Sequence, residues 1–421
     1  MLFFRCRYKI DFATVVTEDS TIFHSHPGHT DIRGKGSQFE CALNFIHRVC
    51  ILETSDVENI PSRDAHIYFI DSDLSKTERW IGRLYQGMKS GRIDYAISYF
   101  LLYKYNDMIT VNFSYPLISA LLGVAVRQCM TGIFALNGKF LKELVLHTKW
   151  NREWRGYGID TSILISGIRN RFTMIQVPQE TPLNGVVHYA QEFRMFQEVC
   201  SSLFRQLEPF VFPATATNEV RYPQLFAADS RVLDFGHLDH TSSCCKESYA
   251  CHYLHFFMSL YTTRDFQSHA EETLGKNLFN KINSIYNKFV ASDLRSITDY
   301  QTPLVIPEFK ALEYGDTLLR FGSETFLSAR TWANIVMQAL KSFCWLKSVH
   351  GAEEAIDRVA MSVLPCVFHL RCLSFVMEAW DLKSYPETEE LTKAQRHDFV
   401  MFKNVTLGDK LSPLDFILSN R

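Results

Sequence analysis

The stretch His66-Ile67-Tyr68-Phe69-Ile70-Asp71-Ser72-Asp73 decides how the first half of the chain is read. Its first five residues are β-forming and mostly apolar, the composition of a strand buried on both faces in a sheet that helices cover. The run passes without a break into two aspartates two residues apart. Carboxylates that close repel unless a cation offsets them, so the pair points to a divalent metal with hard oxygen ligands, Mg²⁺ or Mn²⁺. The plainer alternative is a loop aspartate capping a helix that starts near Ser75.

Around this strand the pattern repeats. Thr21 to Phe23, Tyr95 to Leu101, Ile133 to Leu136 and Phe172 to Val177 are further strand runs, with helical segments between them, which makes the first 208 residues an α/β domain. Ser37-Gln38-Phe39-Glu40 has the spacing of a capping box, with Phe39, Leu43, Ile46 and Cys50 behind it at helical intervals. A basic, glycine-flanked loop, Arg33-Gly34-Lys35-Gly36, stands directly before it.

From Pro209 to Glu247 the composition turns to Pro, Thr, Ser and Asp, and residues 209–247 are expected to connect two domains. Residues 248–382 read as an α-helical domain. Phe326, Ala329, Trp332, Ala333, Val336, Leu340 and Phe343 follow helical spacing, and Val359 to Phe375 is apolar almost all round, with Pro365 expected to kink it. Residues 383–421 are charged and expected to fray.

Composition limits the partners. With 421 residues and 47% apolar content the chain is long enough for two cores. Its 44 basic and 46 acidic residues leave a formal charge of -2, too little for a global field that gathers nucleic acid or anionic membrane. The 33 Phe and six Trp, with no basic stripe beside them, are core material rather than a base-stacking platform. Eleven scattered cysteines in apolar surroundings suggest thiols in a reducing, cytoplasmic compartment. No apolar run reaches the roughly 18 residues of a membrane span, and Met1 to Phe4 is too short for a signal-peptide core before Arg5 and Arg7. His237, His240, Cys244, Cys245, Cys251 and His252 cluster, but their spacing fits no standard zinc pairing and suits an ordinary loop.

Four polar features follow separate strands: the Gly-Lys-Gly turn, the D-x-D, Gly158-Ile159-Asp160 at a helix start, and His188 after Gly185-Val186-Val187. Singly each is commonplace, a solvated lysine or a satisfied loop histidine. Their order and spacing carry more. Gly34-Lys35-Gly36, Ile70-Asp71-Ser72-Asp73, Asp107-Met108-Ile109-Thr110, Tyr157-Gly158-Ile159-Asp160-Thr161 and Val187-His188 match in sequence, over most of the chain's length, the mannosylglycerate synthase family of retaining glycosyltransferases, which the chain resembles.

That resemblance implies a GT-A, Rossmann-like nucleotide-diphospho-sugar transferase domain followed by a helical C-terminal domain. It assigns Asp73 and His188 to the metal, Asp71 to the ribose and the metal's waters, and Lys35 to the donor side. It gives Thr110 to the acceptor, Asp160 to donor-sugar or acceptor hydroxyls, and the Met130 backbone to the reacting face of the sugar. The implied reaction moves a hexosyl unit, mannose or glucose, from a nucleotide diphosphate sugar of GDP-mannose type to a small hydroxy acid such as glycerate. Configuration is retained by front-face attack. A homo-oligomer through the helical domain is also implied.

The chain departs from that family in three places. Only 33 residues precede Gly34, where the family has the strand-helix-strand unit that holds the nucleotide base. The family's acceptor arginine falls near Leu102-Tyr103-Lys104, so Lys104 is the candidate for the acceptor's charge, as a point donor rather than a fork. The tyrosine expected three residues after His188 is Gln191, with Tyr189 closer by. These departures leave two other readings, a transferase with a larger glycan acceptor and a non-catalytic relative that lost donor-base binding.

Overall fold

The computed structural model describes residues 2–6, 9–13, 35–37, 39–40, 42–43, 66–70, 78–90, 92–100, 104–148, 150, 154–179, 189–211, 224–225, 246–301, 306–321, 326–382 and 384–407. Asp71, Asp73, His188, Gln191's side chain and the Thr21 to Phe23 run lie outside them. The chain falls into two compact units, one of 1–102, 124–187 and 221–235, the other of 103–123, 188–220 and 236–421. The division is therefore not one cut near residue 208.

The first unit is an α/β layer. Its sheet comprises β1 (Leu2–Cys6), β2 (Lys9–Ala13), β3 (His66–Ile70), β4 (Tyr95–Phe100), β5 (Ile133–Asn137), β6 (Met174–Gln179) and the short β7 (Gln224–Leu225), in the order β2-β1-β3-β5-β4-β6-β7. Four strands, β3-β5-β4-β6, form its centre, and the expected strands are those four, with β6 starting two residues later than its apolar run. β5 is antiparallel to both β3 and β4, whereas β4 and β6 are parallel. It follows that β3, β4 and β6 all point one way. β1 pairs antiparallel with both β2 and β3.

Both faces of this centre are buried, as the unbroken apolar strands require. One face carries Tyr68, Ala96, Phe100, Ile133, Ala135, Ile175 and Val177, and α1 (Glu78–Lys89) covers it with Trp80, Leu84 and Met88. The other is aromatic: Phe69 stacks on Phe134 at 5.0 Å, Tyr95 meets Phe134 and Phe140 edge-on, and Phe39 sits 4.4 Å from Phe69. Here lie α3 (Gly138–His147) and α4 (Ile159–Arg169). Asn137 ends β5 and caps α3, its Oδ1 accepting from the Phe140 N–H at 3.0 Å. Its Nδ2 donates to the buried Asp94 at 2.7 Å, and Asp94 also accepts from the Thr173 N–H, so one polar staple joins the starts of β4, α3 and β6.

The second unit is helical. A π-helical turn (Thr110–Ser114) runs into α2 (Tyr115–Leu122), and α5 (Tyr189–Leu207), α6 (Lys246–Tyr261), α7 (Arg264–Leu274), α8 (Lys276–Ala291), α9 (Glu308–Phe321) and α10 (Ala329–His350) follow. Pro365 falls in the first turn of α11 (Leu364–Glu378), after a π-helical stretch Ile356–Val363 that absorbs the missing amide bond. The segment Ala352–Glu378 is long and apolar enough to cross a membrane, and 89% of its most apolar window is buried inside the protein. It is a core element: α11 packs on α6, and Phe368 stacks on Phe196 at 3.9 Å.

Within the expected frayed tail of 383–421, Tyr385–Thr406 is instead a 22-residue helix, α12; residues 408–421 lie outside the described residues. Glu387 accepts from the Ser384 N–H at 3.1 Å, and Pro386 occupies the first turn. Its inward face is Thr388, Thr392, Gln395, Phe399, Lys403 and Thr406. Polar residues replace the apolar stripe, so hydrophobic periodicity is silent there.

A second buried polar centre ties the helices. Arg371 is fully enclosed and donates to Glu378 through both terminal nitrogens at 2.7 and 2.8 Å, to Gln395 Oε1 and Asn112 Oδ1 through Nε, and to the Leu327 carbonyl. The Trp332 indole donates to the Asn112 carbonyl at 2.6 Å. A planar cation with five donors is thus satisfied by four chain segments, which offsets its desolvation.

Candidate functional site

Because β3, β4 and β6 share a direction and β5 opposes them, the chain leaves β3, β4 and β6 and starts β5 along one edge of the sheet. Ligands of open α/β sheets gather at the carboxyl ends of strands. Ile70, the last residue of β3, lies at this edge and is followed in sequence by Asp71-Ser72-Asp73, which are outside the described residues; Met130 precedes β5.

The loop before β5 is fixed from both sides. The Gln128 side chain accepts from the Phe100 N–H, and Gln176 accepts from the Arg127 N–H, each at 2.7 Å. Gly132 then turns the chain with φ 60°, a left-handed conformation that leaves Met130 half-buried just ahead of the strand.

Asp160 occupies the first turn of α4, where the helix dipole favours an anion. The last turn of α4 connects through residues 170–173 to the amino end of β6, so its first turn lies on the side toward which β6 runs. Its Oδ2 accepts from Lys35 Nζ at 2.8 Å. Its Oδ1 is buried with no hydrogen-bond partner among the described residues. The carboxylate is 9% exposed and the lysine 26%, so the pair opens to solvent from the lysine side.

Lys35 and Gly36 of the expected loop are already helical backbone, while Arg33 and Gly34 lie outside the described residues. The expected capping box at Ser37 is not what holds this turn. Ser37 N–H donates to the Arg155 carbonyl at 3.0 Å, and the Glu40 carboxylate takes the Arg155 guanidinium at 2.9 Å. A β-carbon on Gly36 would overlap the Trp154 carbonyl, which makes glycine obligatory at this crossing. Lys35 is thereby aimed at the start of α4 by three ties.

Tyr95 is near enough to Asp160 to feel its charge. Burial first, then the charge of Asp160 and the thiol of Cys129, push its phenol well above the usual range, and it stays a neutral hydroxyl.

The sheet unit thus brings together Lys35 and Asp160, while Lys104 and Thr110 belong to the helical unit. Lys104 is corrected as a candidate for an acceptor's charge. Its ammonium is buried and donates to the Ala379 and Leu382 carbonyls at 2.8 Å and the Trp380 carbonyl at 3.3 Å, so the three donors close the end of α11. Burial and the neighbouring Lys246 draw its pKa down. Thr110 is fully buried in the π-helical turn, its hydroxyl without a hydrogen-bond partner among the described residues.

Among the described residues no three His, Cys, Asp or Glu side chains are grouped to hold a metal; Asp71, Asp73 and His188 fall outside them. Of the cluster set aside from zinc, Cys251 and His252 lie on α6, where the thiol donates to the Ala311 carbonyl and the imidazole meets Glu192 at 3.3 Å. His237, His240, Cys244 and Cys245 lie outside the described residues. Cys129, Cys200, Cys251, Cys344, Cys366 and Cys372 are free thiols, and burial pushes Cys344 up to about 12 and Cys200, Cys366 and Cys372 well above the usual range.

No protein-family model matches the chain, and no curated protein is significantly similar to it.

Proposed function

We propose that the chain is a metal-dependent glycosyltransferase of GT-A type that moves a hexosyl unit from a nucleotide diphosphate sugar to a hydroxyl acceptor with retention. The observation that carries this reading is the Lys35–Asp160 pair, a cation and a carboxylate fixed by close backbone packing beside a helix start in an α/β unit. The D-x-D that follows β3 in sequence supports it.

In this reading Asp73 and His188 would hold a divalent ion, which would supply positive charge for the diphosphate leaving group. Lys35 adds a positive charge for the same oxygens, which bear more charge as the glycosidic bond breaks. Asp160 orients a sugar or acceptor hydroxyl, its unpartnered Oδ1 accepting from the O–H. The Met130 backbone lines the sugar. The acceptor charge that the resemblance expects has no role for Lys104, whose donors serve α11. This favours a neutral hydroxyl acceptor, such as a glycan, over a hydroxy acid.

Thermal stability tests the reading. With Mn²⁺, one nucleoside diphosphate of a guanosine, uridine and adenosine panel is expected to stabilise the chain by about 2.7 kcal/mol at a hundred times its dissociation constant. Asp73→Ala is expected to abolish that gain. Stabilisation by no diphosphate, with or without metal, would refute a donor site.

A further inference from the structure

Lys35 and Asp160 have, under the proposed reading, separate tasks: the lysine serves the departing diphosphate and the carboxylate a hydroxyl. Yet they hold each other at 2.8 Å. We propose that this ion pair is a latch opened by the donor's phosphates, so that donor binding frees Asp160 and must precede productive acceptor binding. The proposal rests on the transferase reading.

The geometry limits which part can move. The backbone on the lysine side is tied by the Ser37–Arg155 hydrogen bond, the Glu40–Arg155 ion pair and the Gly36–Trp154 contact. On the other side Asp160 belongs to the first turn of α4, with Thr161 and Ser162 hydroxyls donating to the Gly158 carbonyl. Asp160 has a short, buried side chain; Lys35 has four rotatable bonds and a quarter-exposed side chain. Opening is a swing of Lys35, with both backbones in place.

The exchange has a defined order because a buried carboxylate cannot stay bare. Asp160 has one oxygen satisfied by Lys35 and one buried without a hydrogen bond among the described residues. A diphosphate offers Lys35 more negative charge than Asp160 does, so the lysine turns to it. The carboxylate then lacks its donor and recruits an O–H, and the hydroxyl binds more tightly after the phosphate than before.

Titration calorimetry on the full chain with saturating Mn²⁺ and guanosine, uridine and adenosine diphosphates tests the latch. Asp160→Asn and Asp160→Ser each remove the carboxylate charge that holds Lys35 without touching the phosphate side. Each is expected to bind the preferred diphosphate about 5- to 20-fold more tightly than the parent. If the parent binds a diphosphate but both variants bind it equally or less tightly, Lys35 bridges the two anions and the latch is overturned while the donor site stands. Failure of both variants to melt cooperatively would make the pair a structural tie and overturn the latch as well. Failure of the parent to bind any diphosphate would remove the reading and the latch together.

Discussion

Gly36 and the Trp154 carbonyl are in contact so close that no side chain fits between them. Gly36→Ala must displace backbone rather than a flexible side chain and is expected to destabilise the sheet unit by about 1–3 kcal/mol. Gly82, exposed in α1 with open space around it, is its control. Gly82→Ala is expected to stabilise by roughly 0.5–1 kcal/mol, because alanine loses less backbone entropy in a helix. Urea unfolding of both variants reads the contrast; equal shifts would mean that the Gly36 crossing is loose.

Asn137 serves two clients with one amide. Replacing it by alanine removes the α3 cap and takes one donor from the buried Asp94 carboxylate, whose other oxygen holds the Thr173 N–H. The expected cost is about 2 kcal/mol. Asn137→Asp is expected to be worse, since it sets a second carboxylate against Asp94. A denaturant midpoint for Asn137→Asp above that of Asn137→Ala would contradict the staple.

Arg371 is the cation on which four segments of the helical unit converge. Arg371→Ala leaves Glu378, Asn112 and Gln395 short of donors and is expected to cost about 3–5 kcal/mol. Arg371→Lys, which keeps the charge and loses the fork, is expected to recover less than half of that. Thermal unfolding followed by far-ultraviolet circular dichroism gives both numbers.

His369 makes the helical unit sensitive to acid. Burial is the main cause that lowers its pKa to about 4; its Nδ1 faces the Pro365 carbonyl at 2.6 Å, and His252, His255 and Glu192 surround it. The unfolded imidazole takes a proton near its ordinary value of 6.5, whereas the folded one stays neutral until about 4. The stability it contributes is complete above pH 6.5 and drains away as pH falls from 6.5 to about 4. At 1.36 kcal/mol for each pKa unit, the loss is about 3 kcal/mol. His369→Phe is expected to flatten the unfolding free energy across that window, and an unchanged slope would exclude His369 as its source.

The sheet was legible because a strand covered on both faces writes its burial into every residue, as His66–Ile70 and Ile133–Asn137 do. β6 was placed too early, since Phe172 earns its apolarity by stacking on Phe140 at 4.4 Å outside the strand. α12 escaped because its buried face is threonine, glutamine and lysine; the Ser384–Glu387 spacing was its one local signal. The same S-x-x-E spacing at Ser37 misled, for Glu40 finds Arg155 instead. At the site, the proximity of Lys35 and Asp160, 125 residues apart, follows from no local rule. Lys104 fails as a surface charge for the complementary reason: its acceptors are 275 to 278 residues away.

The assignment of residues 103–123 to the helical unit bears on how the protein is made. Asn112 leaves the ribosome long before its partners, Trp332 by 220 residues and Arg371 by 259. The π-helical turn and α2 must therefore wait, with Phe113 and Leu117 destined for full burial, until the far helices are synthesised. Contacts of such separation slow folding and leave apolar surface open to capture in the interval. Nascent chains halted after residue 208 would thus hold α2 without its lodging, a natural stage for a chaperone to intervene.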